Sequence, residues 1–511
     1  MRANAPTTTT VLLLLHLLHS TSGVFYAKGS AVSVSDTLAT TTTAFVRPKT
    51  KQPSTLPINS IISDEDDEGI LFRQAAIVGI VTAAMGHVYG HILGGTVKGV
   101  WDYLPNYLQT HFVKALSGSE ADLSIFPSKL MPALSNLLLL SLVTSTFGFS
   151  VGPEAPMVCA GGLVGKALSN RWNNYECNTN RDVIMIYAGA AGALTAFMGI
   201  PLAGSIFALE LTRASAGMAS VAADALAPAV VASVAALVFI RGIADPMSSV
   251  GGHFRYLPIP SLSGRVTILT SLVCGIGGAL IATFFHKFVH FLKDVLWSDL
   301  VQADDNGKDG SMQTSLVQID REILVKTTIG IAVGVLSMKY PSTMFWGEGS
   351  LQTTIDGQKT PFSDTKHGRG LPGFLTAHAN VDPNSPIESS WAAIQVGVAK
   401  LTSIALACAG KFPGGIIFPL FFAAAPIANA ICLFLSQHLG ITVNSLAVMA
   451  LMASTQASVT RTPLATVLML TLSASPDTEL SKMLPCVILS SYMGVFSSRY
   501  LSKESYFAYS K

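Results

Sequence analysis

The sequence predicts an all-α polytopic membrane protein built from tilted and broken helices. Half of the 511 residues are hydrophobic, charged residues make up only 12%, and the mean hydropathy is +0.49. Soluble domains carry about 25% charge, and a surface that faces lipid requires far less. The net charge of +2 creates no basic field, so we expect no nucleic-acid partner.

The N-terminal region has the composition of a targeting sequence. Residues 1–24 resemble a signal peptide, since Arg2 precedes an apolar run at 11–18 that is too short to span a bilayer. Residues 25–62 are rich in Ser and Thr, with Asp36 as their only acid, which is typical of a disordered transit segment. This arrangement resembles the bipartite presequences of algae with complex plastids and predicts a thylakoid or envelope membrane. The alternative is a signal peptide with a disordered secretory tail, which predicts a secretory-pathway or plasma membrane.

The membrane domain is predicted at 70–511, with a first half at about 70–241 and a second half at about 263–511. Apolar segments lie at 74–98, 131–150, 183–211, 219–241, 266–296, 323–339, 391–409, 415–436, 442–458, 463–474 and 483–497. Several are too short, or too often interrupted by Gly and Pro, to be plain spans. Broken helices at membrane depth are tolerated where they are buried or line a cavity, which is typical of transporters and channels.

Two short motifs recur at a constant spacing. Gly152–Pro156 and Gly415–Pro419 share the form GxxxP, and their prolines are 263 residues apart. The Pro-Leu-Ala run that begins at Pro201 recurs at Pro463, 262 residues later. Two related halves explain both spacings, and such repeats place a binding site at their interface near the membrane midplane.

The first GxxxP motif predicts a helix amino end inside the membrane, because Pro is favoured in the first helical turn. Such an end exposes unpaired amides and a partial positive charge, which attract an anion without holding it too tightly. Glu154 in this motif has two interpretations. It is either a gate whose carboxylate occupies the anion site and swings away, or an acid that caps a helix at the membrane surface. The repeat favours the gate.

The second GxxxP motif predicts another helix amino end. Gly414 and Gly415 allow the backbone to approach an ion closely. The amides of Ile416, Ile417 and Phe418 are then expected to face the pathway. The alternative is a glycine loop that precedes an ordinary packed helix.

In this order and spacing, the motifs resemble the CLC family of chloride channels and anion/proton exchangers. The residues concerned are Gly-x-Glu154-x-Pro, then Pro201-Leu-Ala-Gly with Phe207 and Glu210, then Gly414-Gly-Ile-x-x-Pro. The resemblance implies an inverted repeat, transport of chloride or another small anion through a lipid bilayer, and a homodimer with one pore per subunit. It implies that Glu154 is the gate and that Tyr506 donates a hydroxyl to the anion. The anion-binding positions, mainly through backbone amides, are Gly152, Ala155, Gly415, Ile416, Ile417 and Phe418.

The chain departs from this pattern at the position that relays protons in the family's exchangers. A second glutamate is usual there, whereas this sequence has Leu211 directly after Glu210. An aliphatic side chain cannot carry a proton. We therefore expect a passive gated channel, with an anion/proton antiporter as the alternative. Pro153 also replaces the usual basic residue, Ala155 the usual glycine and Ile417 the usual phenylalanine.

A second departure concerns selectivity. Family members carry a helix and a Gly-rich selectivity segment about forty residues before the glutamate motif, but residues 106–129 are polar and resemble neither. Either the lineage lost this element or an exon is missing from the sequence. The choice between chloride and nitrate is therefore left open. The paired cytoplasmic nucleotide-binding modules of some relatives have no counterpart in the sequence, as in the plastid-type branch.

Other classes of protein fit less well. His87 and His91 lie four residues apart but have no catalytic or metal-binding motif beside them, so we predict no enzyme, no cofactor and no metal centre. A secondary transporter of unrelated fold would predict buried Asp or Lys within the spans. The six cysteines form no CxxC or Cys/His cluster.

Overall fold

The computed structural model describes residues 65–103, 130–172, 179–213, 219–244, 254, 256, 263–306, 312–356, 379–383, 387–440, 445–474 and 478–502. The predicted signal peptide at 1–24 and transit-like segment at 25–62 lie outside these residues. So do the whole polar region at 106–129 and Tyr506.

The described part of the chain folds into helices in two consecutive sets. The first set is α1 (Glu65–Tyr103), α2 (Leu130–Thr146), α3 (Glu154–Trp172), α4 (Thr179–Met198), α5 (Pro201–Arg213) and α6 (Ala219–Phe239), which ends in a π-helical turn, Ile240–Ala244. The second set is α7 (Gly264–Asn306), α8 (Met312–Lys339), α9 (Glu348–Asp356), α10 (Ser390–Ala409), α11 (Ile417–Leu439), α12 (Ser445–Thr460), α13 (Pro463–Leu472) and α14 (Leu480–Leu501). A short 3₁₀ turn, Pro341–Thr343, links α8 to α9.

Seven of the described helices are long and apolar enough to cross a membrane: α1, α4, α6, α7, α10, α11 and α14. Four shorter apolar helices, α2, α5, α12 and α13, accompany them. Short helices at membrane depth leave backbone groups that other parts of the protein must satisfy. The fold is therefore the predicted all-α polytopic membrane architecture with broken helices.

The two sets pack in the same order, which identifies them as related halves. In the first half α1, α4 and α6 pack against one another, and in the second half α7, α12 and α14 do so. The remaining neighbours also match: α2 packs on α3 as α10 packs on α11, and α5 lies between α4 and α6 as α13 lies between α12 and α14. The helices α8 and α9 belong to the second half, and the corresponding stretch of the first half is residues 104–129, beyond the described part.

Small residues bring the helix axes close together. A Cβ placed on Gly79 of α1 would lie 2.0 Å from the carbonyl oxygen of Ala232 on α6. A Cβ placed on Gly278 of α7 would lie equally close to the hydroxyl of Ser454 on α12. Since lipid provides no hydrophobic drive between helices, such close backbone packing is a main source of helix association in membranes.

A link with a left-handed residue joins α4 to α5 in the first half and α12 to α13 in the second half. The apolar segment predicted at 183–211 is two helices, because Gly199 adopts φ 70° and Pro201 starts a new helix. In the second half Arg461 occupies the equivalent link with φ 58°. Burial lowers the pKa of Arg461, and the positive charge of the nearby Arg499 lowers it further. The chain therefore turns in the same way at both positions, with a glycine in one and an arginine in the other.

Candidate anion site

The amino ends of α3 and α11 meet through a two-residue bridge. The amide of Gly152 donates to the carbonyl oxygen of Gly415 at 2.8 Å, and the amide of Gly415 donates back to Gly152 at 2.5 Å. These residues stand two positions before their helices begin. The bridge brings together two helix ends that are far apart in sequence. It also means that, in this conformation, the Gly152 and Gly415 amides bond each other rather than an anion.

The Glu154 carboxylate lies in the space between these glycines. Glu154 is the first residue of α3 and is completely buried. A Cβ placed on Gly152 would lie 2.1 Å from Oε2 of Glu154, and one placed on Gly415 would lie 2.2 Å from the same oxygen. Only glycine leaves room for the carboxylate at both positions.

The first turn of α11 supplies the next group of predicted residues. Ile416 precedes the helix with φ −115° and no side-chain cap, and its side chain is buried, as are those of Ile417 and Phe418. First-turn amides have no partner within their own helix and carry part of the positive end of the helix dipole. Ala155, in contrast, is exposed on the outer face of α3.

Contacts from both halves fix the loop that leads into α11. The hydroxyl of Thr144 on α2 donates to the carbonyl oxygen of Pro413 at 2.9 Å. The indole of Trp297 on α7 donates to the carbonyl of Ala409, and the ammonium of Lys411 stands 4.1 Å from the centre of the Trp297 ring. The glycine bridge is thus held from the side of the loop as well as from α3.

A buried lysine lies beside this region. Lys400 on α10 is completely buried, and its ammonium donates to the carbonyl oxygens of Thr343 at 2.9 Å and Phe345 at 2.7 Å. It also faces the ring of Phe422 on α11 at 5.4 Å. Ser150, two residues before the bridge, donates to the same Thr343 carbonyl and to Ser403. The ammonium therefore joins α10, the turn before α9 and the segment that leads to Glu154.

Sequence reasoning did not single out Lys400. Its signal was available, because it is the only charged residue in the apolar segment 391–409. A charge within a span is a mark of function or of a specific partner. Here the partners are two carbonyl groups that the sequence places more than fifty residues away.

Glu210 binds the amino end of α13, the helix of the second half that is equivalent to its own helix, α5. It lies on α5, and its carboxylate accepts hydrogen bonds from the amides of Leu464 at 3.2 Å and Ala465 at 2.8 Å, both in the first turn of α13. An acid at a helix amino end satisfies exposed amides and complements the dipole. Leu211 follows in α5, but its side chain is outside the described part.

Of the predicted site residues, the structure brings Gly152, Glu154, Gly415 and the Ile416–Phe418 turn together. Chemically, the meeting point combines two positive helix ends with one carboxylate that fills the space between them. A small anion could replace the carboxylate there and be stabilised by the two positive helix ends. The described residues contain no group of three or more side chains suited to hold a metal ion.

The fold is similar to two solved structures. One is a slow cyanobacterial Cl⁻/H⁺ antiporter, with a TM-score of 0.62, 14% sequence identity, and coverage of 86% of this chain and 96% of that one. The other is a CLC-type fluoride/proton antiporter, with a TM-score of 0.59, 16% identity, and coverage of 87% and 98%. At these identities the likeness concerns the fold alone.

Sequence relatives agree with the fold. The chain is 25% identical over 387 residues to a chloride/fluoride channel protein of Pseudomonas syringae, which covers 73% of this chain and 70% of that protein. It is 21% and 23% identical to the Arabidopsis thaliana chloride channel proteins CLC-f and CLC-e, over only 36% and 35% of their lengths.

The family model named Voltage gated chloride channel matches residues 109–495, most of the described helices. This match rules out the predicted alternative of a transporter with an unrelated fold. With the paired helix starts and the repeated packing, it establishes that the chain is a multi-pass membrane protein of the voltage-gated chloride channel (CLC) family, whose members transport anions.

Proposed function

We propose that this protein is a passive, gated anion channel with chloride as the favoured ion and Glu154 as the gate. The observation that carries the proposal is the complete burial of the Glu154 carboxylate between Gly152 and Gly415, where the amino ends of α3 and α11 meet. A carboxylate in this place is itself an anion at an anion site. It closes the pathway until it moves away.

Opening in this mechanism requires only a side-chain movement. When the Glu154 carboxylate leaves, an incoming anion takes its place beside the same backbone groups. The first-turn amides of Ile417 and Phe418 then stabilise the ion through the helix dipole, which is weak enough to allow release. The relative from Pseudomonas syringae is named for chloride and fluoride, so the ions to compare are chloride, nitrate and fluoride.

Passive conduction is favoured because neither residue at the relay position suits proton transfer. Leu211 has no titratable group. Each carboxylate oxygen of Glu210 accepts a hydrogen bond from an α13 amide, which assigns Glu210 the role of a helix cap. An anion/proton antiporter is the second candidate, since both similar solved structures carry that name.

Proton coupling distinguishes the two candidates. The purified protein is reconstituted in liposomes with a chloride gradient, and chloride flux and internal pH are recorded together. For a channel, the reversal potential follows the chloride gradient alone, and no proton movement accompanies flux. Uphill proton transport driven by chloride, especially if Glu210→Gln abolishes it, would contradict the channel and support the antiporter.

The gate is tested separately with Glu154→Ala. Without a carboxylate to move aside, we expect chloride flux to rise and to lose its dependence on voltage and pH. Glu154→Gln retains the size of the side chain without its charge and is the matched variant. If both variants conduct and gate like the wild type, Glu154 is only a first-turn helix acid.

The assembly and the membrane complete the proposal. We infer a homodimer in which each subunit has its own pathway. We also infer that residues 1–24 and 25–62 direct the protein to a plastid membrane, for which the match to plant proteins gives support of a general kind. A fluorescent protein fused to residues 1–62, and one fused to residues 1–24 alone, test this localisation when they are expressed in an alga with complex plastids. Delivery of both to the same secretory compartment would contradict it.

A further inference from the structure

Two histidines on α7 are arranged as a pair of ligands. His286 and His290 lie four residues apart, on one face of the helix. Their Nε2 atoms are 3.0 Å apart, and the ring centres are separated by 4.4 Å with the rings nearly perpendicular. Both side chains are partly exposed. The motif analysis did not single them out.

The spacing of the two nitrogens suits a common ion. Zinc–nitrogen bonds are about 2.0–2.1 Å long and the geometry is tetrahedral, so two imidazole nitrogens bound to one ion stand about 3.3 Å apart, a few tenths of an ångström more than in the pair. In the structure the two Nε2 atoms are 3.0 Å apart because one ring donates a hydrogen bond to the other. When an ion replaces the shared hydrogen, each ring carries its proton on Nδ1, so a neutral pair binds without losing a proton overall.

The pair lies at the end of the uncharged part of α7. Residues 266–285 of α7 form an unbroken run of 20 uncharged residues. At 1.5 Å per residue this run is about 30 Å long, the thickness of the hydrocarbon core. His286 is the first residue after it, and Lys287, Lys293 and Asp294 follow. Because these charged residues surround the pair in sequence, we expect a hydrated cation to reach it more readily than a pair inside the run.

A matched pair on α1 has the same spacing in a different setting. His87 and His91 also have ring centres 4.4 Å apart and nearly perpendicular rings. His87 occurs eight residues after Gly79, as His286 occurs eight residues after Gly278. At these two glycines the related helices α1 and α7 each cross a neighbouring helix closely. However, His87 and His91 lie within the uncharged run 74–97. A hydrated cation reaches that depth only at high cost.

We propose that His286 and His290 form a binding site for a borderline divalent cation such as Zn²⁺, with water or chloride as the other ligands. The described residues supply no third protein ligand beside the pair. The neighbouring Phe285 and Val289 pack in one apolar cluster with Ile404 of α10 and Ile416 at the start of α11. A bound ion would therefore rigidify the helix on which the candidate anion site rests.

Zinc binding to the full-length protein in lipid nanodiscs tests this site without any reference to transport. ZnCl₂ is titrated by calorimetry, and thermal stability is measured with and without the ion. We expect the wild type to be stabilised by zinc, since an ion that binds only the folded state raises its stability. His286→Ala and His290→Asn should each weaken binding at least about tenfold, the smallest effect seen when even an outer partner of a metal ligand is lost.

His87→Ala is the control, and it should bind zinc like the wild type. Folding of each variant is checked by size-exclusion profile and by its melting temperature in a chelator. If the α7 variants fold and bind zinc like the wild type, or if only His87→Ala reduces binding, the proposal is wrong. Absence of zinc binding to the wild type would leave an ordinary hydrogen-bonded histidine pair and would equally overturn it.

Discussion

Two buried charges of opposite sign stand on either side of the segment that leads into α3. Glu154 lies at a helix start between two glycines, and Lys400 lies against two backbone carbonyls. Two backbone carbonyls hold the Lys400 ammonium, and two glycines leave space for the Glu154 carboxylate, so substitutions around them have effects that the geometry specifies.

Gly415→Ala tests whether the carboxylate needs the space it occupies. The new Cβ would lie 2.2 Å from Oε2 of Glu154, so the carboxylate must leave its position. We expect raised chloride flux together with a lower melting temperature. The combination with Glu154→Ala should recover part of the lost stability, because the clash with Oε2 is then absent and only the 3.0 Å approach to the Cβ of residue 154 remains. Gly334→Ala is the control, since nothing lies within 4 Å of a Cβ there. If Gly415→Ala lowers the melting temperature equally in the wild type and in the Glu154→Ala variant, the position assigned to the Glu154 carboxylate is wrong.

Lys400→Met should reduce the free energy of unfolding. Methionine has a similar length, but it cannot donate the two hydrogen bonds that the Lys400 ammonium makes to the Thr343 and Phe345 carbonyl oxygens. Hydrogen bonds from a charged group contribute about 1.5–3 kcal/mol. Lys166→Met on the exposed face of α3 is the matched control and should change little. Denaturant unfolding in micelles measures both, and an unchanged Lys400→Met would show that the ammonium contributes nothing to the fold.

At the level of elements, the left-handed links between helices are the clearest sign of the repeat. Gly199 and Arg461 hold nearly the same φ at equivalent positions. A residue with a Cβ pays about 1–2 kcal/mol for this conformation, whereas glycine does not. Arg461 offsets the strain in part, because its guanidinium donates to the carbonyl oxygen of Ser502 at the end of α14.

Substitutions at Arg461 separate the strain from the contact. Arg461→Ala keeps the strained backbone and loses the bond to Ser502. Arg461→Gly loses the same bond but relaxes the link. We therefore expect the glycine variant to be more stable than the alanine variant by about 1 kcal/mol, measured by denaturant unfolding. At Gly199 the order is the same, and Gly199→Ala should destabilise the protein by a similar amount. If Arg461→Ala is at least as stable as Arg461→Gly, the backbone at 461 is not strained.

The sequence sufficed to predict the elements whose equivalence is marked by spacing. The starts of α3 and α11, and of α5 and α13, follow from prolines 263 and 262 residues apart. The equivalence of α1 and α7 was not predictable, because Gly79 and Gly278 are only 199 residues apart. The second half inserts α8 and α9 before its motif, which shifts the spacing. The burial of Lys400 was also beyond a local pattern, since it depends on the turn at Pro341–Thr343 folding back onto α10.

For the whole molecule, the two halves contact each other through equivalent elements. The starts of α3 and α11 share the glycine bridge, and α5 holds the amino end of α13 through Glu210. The starts of α3, α11 and α13 are thus each completed by a group of the other half.

A site completed by one chain predicts that the subunits of the proposed homodimer conduct independently. Mass measurement in nanodiscs should give two chains per particle. Tandem-linked dimers with one wild-type and one Glu154→Ala subunit should then carry a chloride flux midway between the two parent dimers, and only the part carried by the wild-type subunit should be gated as in the wild type. The physical reason is that Gly152, Glu154, Gly415 and Ile416 are neighbours within one fold and need no residue from the partner. A mixed dimer whose entire current follows one parent would instead require a pathway shared across the interface, and a particle with a single chain would remove the dimer altogether.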